Sequence, residues 1–368
     1  MIEKIKVLHI VEALGGGVYT YIKDLSIFFG KYNMIFDTTI AYSSKRPEVS
    51  NLDLKKELSN GVTLIELDMN KEISLKDFKS IYELTKLCKS LQPQIIHLHS
   101  SKAGILGKIV SLFYNKAIVF YTPHGYSFLR KDISFIKKQF YYYIEKFTTK
   151  FLGGITIACG DSEFEYGKKM GKALLVRNGI NIKYILNKFK PSKVYNQCIT
   201  IGIVGRISYI KNPWLFNKIA LNNPNLNFIW IGDGELRKTI SAPNITITGW
   251  LNREEIFTYL NQLDIYIQTS LWEGLPIAPL EAMTFQKPIL ATNIEGNKDI
   301  VLHGKTGFLF TNENDIQEYI EILKDTPTRD QMGKAGLKRC MEDFDLNKNF
   351  TILKNIYLDC LNKGIQID

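Results

Sequence analysis

Residues 269–283, TSLWEGLPIAPLEAM, decide how the chain is read. An apolar run at residues 263–268 precedes them with the look of a buried strand end, and a helical pattern opens at about Pro279. A strand, a loop holding Gly274 and Pro276, then a helix start is an arrangement suited to anions. The unpaired N–H groups of the first helical turn point outward, and the glycine lets a ligand approach the backbone. Trp272 and Leu275, large apolar groups beside Gly and Pro, make the loop a shaped rim rather than a tail. Open α/β sheets hold ligands at such rims, at the carboxyl ends of their strands. Glu273 and Glu281 bracket the loop with seven residues between them. On their own they read as a solvated loop carboxylate and a glutamate favoured by the helix dipole.

The same succession recurs upstream. Residues 5–12 form a first strand, and Gly15, Gly16 and Gly17 turn it into a helix, either as a tight turn or as backbone donors for a phosphate or sugar hydroxyl. The spacing is neither G-x-G-x-x-G nor a Walker loop. Further strands are expected at 34–42, 63–67, 95–99, 117–122, 154–159 and 174–176, with helices at 52–59, 103–112 and from Ser162. A helix over 74–91 carries Phe78, Ile81, Leu84, Leu87 and Leu91 as the stripe that covers the sheet. His97 and His99 are read as alternating, so that one of them faces the loop end, and His9 as a satisfied core residue. His124 follows a strand, between Pro123 and Gly125, where loops gather. This alternation describes a parallel, doubly wound domain.

A polar, lysine-rich segment at 187–196 marks a boundary near residue 190. The pattern then restarts: a strand at 199–204, Gly205 and Arg206 in its loop, and Lys211, Asn212 and Pro213 before a helix. Arg206 and Lys211 there oppose the helix dipole unless an anion lies between them. Strands at 227–231, 245–248, 288–291 and 307–310 follow, with helices at 253–260, 315–324, 330–344 and 347–361. The expected organisation is an acceptor domain at 1–190, a nucleotide-sugar domain at 191–345, and a helix at 346–368 crossing back to the first domain.

A length of 368 residues suits two domains, and an apolar fraction of 45% suits a globular chain. The five cysteines are widely spaced, without C-x-x-C, and no apolar run suits a signal peptide or membrane span, so a reducing cytoplasm is expected. The net charge of +10 is uneven: residues 1–190 hold 29 Lys/Arg against 17 Asp/Glu, and residues 191–368 hold 18 against 20. No nucleic-acid-binding signature accompanies the basic half. An anionic membrane surface is the expected partner, because residues 135–143 place Lys137 and Lys138 beside Phe140, Tyr141, Tyr142 and Tyr143, followed by Lys146. The other reading of that segment is a surface helix with an aromatic core face.

Glycines at 15–17, cations at 206 and 211 and carboxylates at 273 and 281 together suit a nucleotide sugar: cations for the diphosphate, one carboxylate for the ribose, another for the sugar ring. With those residues in order, the chain resembles a retaining family 4 glycosyltransferase of the two-Rossmann-domain (GT-B) type, with a central cleft, and bacterial surface-polysaccharide members in particular. Glu273 and Glu281 match its glutamate pair, Gly205, Arg206, Lys211 and Asn212 its phosphate-binding segment, and residues 15–17 its first glycine loop. The strings at 178–180, 231–234 and 306–310 agree.

The resemblance implies that Glu281 holds the donor ribose and Glu273 the donor sugar. Arg206 and Lys211 clamp the diphosphate with the backbone of Gly274, Leu275, Pro276, Gly16 and Gly17. Gly249 and Trp250 meet the base, His124 the donor sugar, and Gly15, His99 and Tyr126 the acceptor. It implies a UDP-sugar donor, no metal or other cofactor, a lipid-diphosphate-linked glycan acceptor, and a place at the inner face of the cell membrane. The D-x-D at Asp343 and Asp345 is read as a helix boundary. Two other classes stay open: an epimerase or phosphorylase of nucleotide sugars on the same frame, and a non-catalytic carbohydrate or polyanion binder.

Overall fold

The computed structural model describes residues 3–12, 14–45, 54–58, 61–69, 77–191 and 198–362. Contacts divide the chain into two units, Met1–Leu129 with Ile133–Asn178 and Asn347–Asp368, and Gly179–Leu346 with Arg130–Asp132. The division at Asn178 lies before the lysine-rich segment, because a helix the sequence reading lacked, Ile182–Lys188, belongs to the second unit. Lys188 pairs there with Glu254, and the Phe189 ring lies 5.5 Å from that of Phe257.

The first unit is a parallel sheet of β1 (Ile5–Val11), β2 (Phe36–Tyr42), β3 (Thr63–Glu66), β4 (Ile95–His99), β5 (Ile118–Thr122), β6 (Ile155–Ala158) and β7 (Ala173–Leu175). The strand order is β3-β2-β1-β4-β5-β6-β7. The order reverses between β1 and β4, so the crevice at their carboxyl ends is the place where such sheets take ligands. The glycine turn after β1 and His99 at the end of β4 both sit there, with Val11 opposite His99 in register.

The helix over Asp77–Leu91 forms, but its buried face is Asp77, Ser80, Leu84 and Cys88, and Phe78 is 72% exposed. The expected stripe included one residue too many on the solvent side, because a buried ion pair, Lys102 Nζ to Asp77 at 2.7 Å, occupies the start of the inner face.

The second unit repeats the plan with β8 (Thr200–Val204), β9 (Asn227–Ile231), β10 (Ile245–Ile247), β11 (Ile265–Gln268), β12 (Ile289–Thr292) and β13 (Gly307–Phe310), all parallel. The order is β10-β9-β8-β11-β12-β13. Its strands are nearly continuous apolar runs because both faces are covered, with Ile201, Ile203, Phe228, Trp230, Ile267 and Leu290 in the core. The reversal falls between β8 and β11, which brings Gly205 and the 269–276 loop to one end.

The final helix, Leu346–Asn362, belongs to the first unit from Asn347 onward. Phe350 stacks edge-on against Tyr21 at 5.3 Å, and Tyr357 lies 5.1 Å from Phe120 with its hydroxyl bonded to His97. Asp343 ends the preceding helix, so the D-x-D stands at a helix boundary, as its sequence context indicates.

Candidate active site

In the second unit the site is built on the carboxyl end of β11. Gln268, the last strand residue, is fully buried and polar, and its Nε2 donates to Glu273 Oε1 at 2.9 Å. Ser270 Oγ donates to the same oxygen at 2.7 Å, as does Lys211 Nζ at 2.7 Å. Oε2 takes none of these three bonds. Lys211 is tied at its backbone too, where its carbonyl accepts from Thr269 Oγ1 at 2.6 Å. Gly205, with φ +144, lets the Lys211 stem pass: a Cβ there would stand 3.1 Å from Lys211 Cε. The conflict between two cations and a helix N-terminus is thus met by the protein's own carboxylate at Lys211. Asn212, in the left-handed region, caps that helix, its Oδ1 accepting from Leu215 N at 3.4 Å. Arg206 stays half exposed, with Glu235 at 3.9 Å.

The helix after the loop spans Ile277–Thr284, and Glu281 lies one turn inside it, buried, accepting from Arg253 Nη2 at 3.0 Å. The structure therefore brings Glu273 and Lys211 together and gives Glu281 a different partner, Arg253. Pro276 is the N-cap and has no N–H, so the donor set expected from residues 274–276 is carried by Gly274 and Leu275. The loop is held from behind by the turn after β12. Thr292 Oγ1 donates to Ser270 O at 2.7 Å, and Asn297 Nδ2 donates to Thr292 O at 3.0 Å. Gly249 has φ +79, and Trp250 beside it is 66% exposed.

Sequence reasoning missed Gln268, Ser270, Arg253 and Thr292, and it read residues 293–299, with Asn297, only as a loop near the donor sugar or ribose without assigned contacts. Only Gln268 gave a signal, as a polar residue closing an apolar strand.

In the first unit, the helix Gly16–Gly30 starts with Gly15 as an N-cap that offers no side-chain bond, which leaves first-turn N–H groups uncovered. Gly16 needs its φ of +52. Gly17 is glycine where neither φ nor a neighbour requires it, since a Cβ there would meet nothing within 4 Å. His97 and His99 do not alternate across the sheet; residues two apart on a strand share a face, and their rings lie 4.3 Å apart. His97 is closed off by Thr122 Oγ1, 2.8 Å from its Nε2, and by the Tyr357 hydroxyl at Nδ1. His99 Nδ1 lies 3.1 Å from His124 Nε2, and His99 Nε2 lies 3.0 Å from His9 Nδ1. His9 is not a satisfied core residue, because its Nε2 is buried without a partner among the described residues.

His124, at φ +54, is part-exposed, and its loop is clamped by Glu163, which accepts from Gly125 N at 2.8 Å and Cys159 N at 2.6 Å. Burial pushes both His9 and His124 down to about 3, so they are neutral. Tyr126, expected at the acceptor, is buried with its ring 4.9 Å from Phe128, and presents no open hydroxyl there.

His9, His97 and His99 also place ligand nitrogens within 4.8 Å of one another. A metal would have to displace the hydrogen bonds that occupy both His97 nitrogens and both His99 nitrogens.

Comparisons with known proteins identify the family. A model of the glycosyl transferases of group 1 matches residues 185–339, and a glycosyl transferase 4-like model matches residues 48–159. The chain is 30% identical over 320 residues, 77% of its length and 80% of the relative, to the UDP-Gal:alpha-D-GlcNAc-diphosphoundecaprenol alpha-1,3-galactosyltransferase of Escherichia coli. It is 25% identical over 348 residues, 83% of its length and 90% of the relative, to the capsular polysaccharide biosynthesis glycosyltransferase CapM of Staphylococcus aureus. Among solved structures, sucrose-phosphate synthase from Thermosynechococcus elongatus superposes with a TM-score of 0.79 over 97% of this chain and 100% of that one, at 15% identity. Anabaena HepE in complex with UDP and glucose superposes with a TM-score of 0.74 over 96% of this chain and 99% of that one, at 16% identity. A parallel double-Rossmann frame, matches across both halves and a relative covering most of the chain lead to one conclusion: the chain is an enzyme of the GT-B-fold glycosyltransferases, related to one of bacterial capsular polysaccharide biosynthesis.

Proposed function

We propose that the enzyme is a retaining glycosyltransferase of family 4 type. It moves a hexose or N-acetylhexosamine from a UDP-sugar to a lipid-diphosphate-linked glycan in surface-polysaccharide synthesis. The observation that carries this is the carboxylate of Glu273, fixed through one oxygen by Lys211, Gln268 and Ser270. Its other oxygen accepts a sugar hydroxyl. Lys211 and Arg206 take the diphosphate, Glu281 takes the ribose, and Gly274 and Leu275 add backbone donors. His124, Gly16 and Gly17 meet the donor from the first unit, and Gly15 and His99 border the acceptor.

As the bond from the anomeric carbon to the β-phosphate oxygen breaks, the acceptor oxygen bonds to that carbon on the same face. Its proton passes to the departing phosphate oxygen, giving UDP. Charge building on the diphosphate is what Arg206 and Lys211 stabilise, without a metal. The UDP-Gal donor of the Escherichia coli relative and the UDP bound in the Anabaena structure support UDP.

The test is incubation of UDP-, GDP- and ADP-sugars with a polyprenyl-diphosphate-linked sugar in excess chelator, with the anomeric configuration of the product read by NMR. Transfer from a UDP-sugar with retained configuration is expected. Inversion, an absolute need for manganese, or release of free sugar alone would each overturn the reading.

The membrane partner draws support from the helix Phe135–Phe151. Its outer side carries an exposed apolar stripe of Ile136, Phe140, Tyr143, Phe147 and Phe151, while its inner side buries Glu145, Thr148 and Thr149 and packs Tyr141 and Tyr142 partly against the core. The buried polar face is satisfied, with Tyr121 Oη donating to Glu145 at 2.9 Å and Lys108 Nζ to Thr149 at 2.8 Å. The aromatic core face of the other reading is present in part, through Tyr141 and Tyr142, while Phe140 and Tyr143 face solvent. Lys137, Lys138, Lys146 and Lys150 on the same helix complement anionic headgroups. Among the described residues no helix is long and apolar enough to cross a membrane. Cosedimentation with phosphatidylglycerol vesicles, lost in F140S/F147S, is expected; equal pelleting of both proteins would exclude this helix as the contact.

A further inference from the structure

We infer that His9 and His99 form a directional hydrogen-bonded chain that fixes His124 as an Nδ1–H donor at the candidate site. Three imidazoles run in line from the interior of β1 to the loop after β5. The His9 and His99 rings have centroids 5.3 Å apart, planes 27° apart and nitrogens 3.0 Å apart. The His99 and His124 rings have centroids 5.4 Å apart, planes 21° apart and nitrogens 3.1 Å apart. Centroid separations this much longer than the N···N distances place the rings end to end, not face to face. Each contact is therefore a nitrogen-to-nitrogen hydrogen bond, which requires one N–H and one lone pair.

The chain has two possible directions, and its inner end chooses between them. His9 is fully buried, and its Nε2 has no partner among the described residues. The Phe29 ring, with its centroid 6.2 Å away, is too distant for an N–H to reach its face. A buried N–H without an acceptor costs about 1–3 kcal/mol. A bare lone pair is the better tolerated orphan, since apolar surroundings supply weak C–H donors but no acceptor.

His9 Nε2 is therefore the lone pair, and its Nδ1–H donates to His99 Nε2. His99 in turn donates from Nδ1 to His124 Nε2. The one proton position left on His124 is Nδ1, the nitrogen that makes no bond within the described protein. All three histidines hold the δ tautomer, the less common form of the free side chain.

The consequence is chemical. At Nδ1, His124 gives a hydrogen bond to a ligand oxygen and cannot take a proton from an acceptor hydroxyl unless the whole chain reverses and buries an N–H at His9. His9 and His99 are thus positioning residues, acting through His124. The catalytic consequence rests on the proposed placement of His124 at the donor sugar; the tautomer does not.

The experiment is a long-range proton–nitrogen correlation spectrum of the full chain labelled with 15N-histidine at neutral pH, with kinetics of His9→Phe, His9→Asn and His124→Ala. Wild type is expected to show His9, His99 and His124 as δ tautomers. His9→Phe, which removes the donor, is expected to mix the tautomers of His124 and lower kcat about ten-fold, the worth of one such hydrogen bond. His9→Asn, which keeps an N–H near the Nδ1 position, is expected to restore both. An ε tautomer at His124 in the wild-type spectrum would overturn the inference, and needs no variant to fold. Full activity in His124→Ala beside δ tautomers in the wild type would instead remove the placement of His124 at the sugar and leave the chain standing.

Discussion

At the scale of single residues, the site depends on how few donors fix Glu273. Lys211, Gln268 and Ser270 all meet Oε1, so the carboxylate is oriented before any ligand arrives. Glu273→Gln keeps the shape but removes the anion opposite Lys211. We expect kcat to fall about 100-fold, with the circular dichroism spectrum unchanged. The histidines give a second expectation. Burial lowers His9 from 6.5 to about 3 and pushes His97 and His99 well below the usual range. Between those values the unfolded chain binds protons that the folded chain refuses, so stability is full above about pH 6.5 and is lost as the pH falls toward 3. His9 alone amounts to about 2 kcal/mol of destabilisation by pH 5, readable as a drop in urea midpoint between pH 7 and pH 5.

At the scale of elements, the motif loop was legible because Gly274, Pro276 and two glutamates stand at fixed offsets from an apolar strand. Its supports were not, since Thr292 ends a later strand that only the sheet brings to Ser270, and Asn297 reaches the loop only through Thr292. The helix Asn297–Ile300 lay hidden for the same reason, in a stretch whose composition reads as loop. Gly296 shows how close that packing is: it has φ +80, and a Cβ would stand 2.1 Å from Gly274 O. Gly296→Ala is expected to cost about 2–3 kcal/mol and to displace the Glu273 loop. A lower Tm together with a raised KM for the nucleotide sugar would register both effects. The helix Phe135–Phe151 marks the limit of reading by pattern, because its aromatics divide between core and solvent and the run at residues 140–143 does not say which go where.

At the scale of the whole molecule, the repeated strand–helix alternation made two doubly wound units visible in advance, and the relatives cover both. The exact point of division was not visible, since a lysine-rich stretch resembles a linker whether or not a helix beside it is packed. The last helix was expected to return to the first unit, and it does so with buried Phe350, Leu353 and Tyr357. Deleting residues 347–368 should therefore lower the stability of the first unit and free the His97 ring from Tyr357, visible as faster amide exchange in β1 and β4 while β8 and β11 change little. The same helix sets a clock on synthesis. A chain emerging from the ribosome builds the first sheet early, yet the side chains that close one of its faces are made only after the second unit. The second unit, whose residues are nearly all in hand by then, can fold first, and the first unit must wait, partly open, for the helix that completes it.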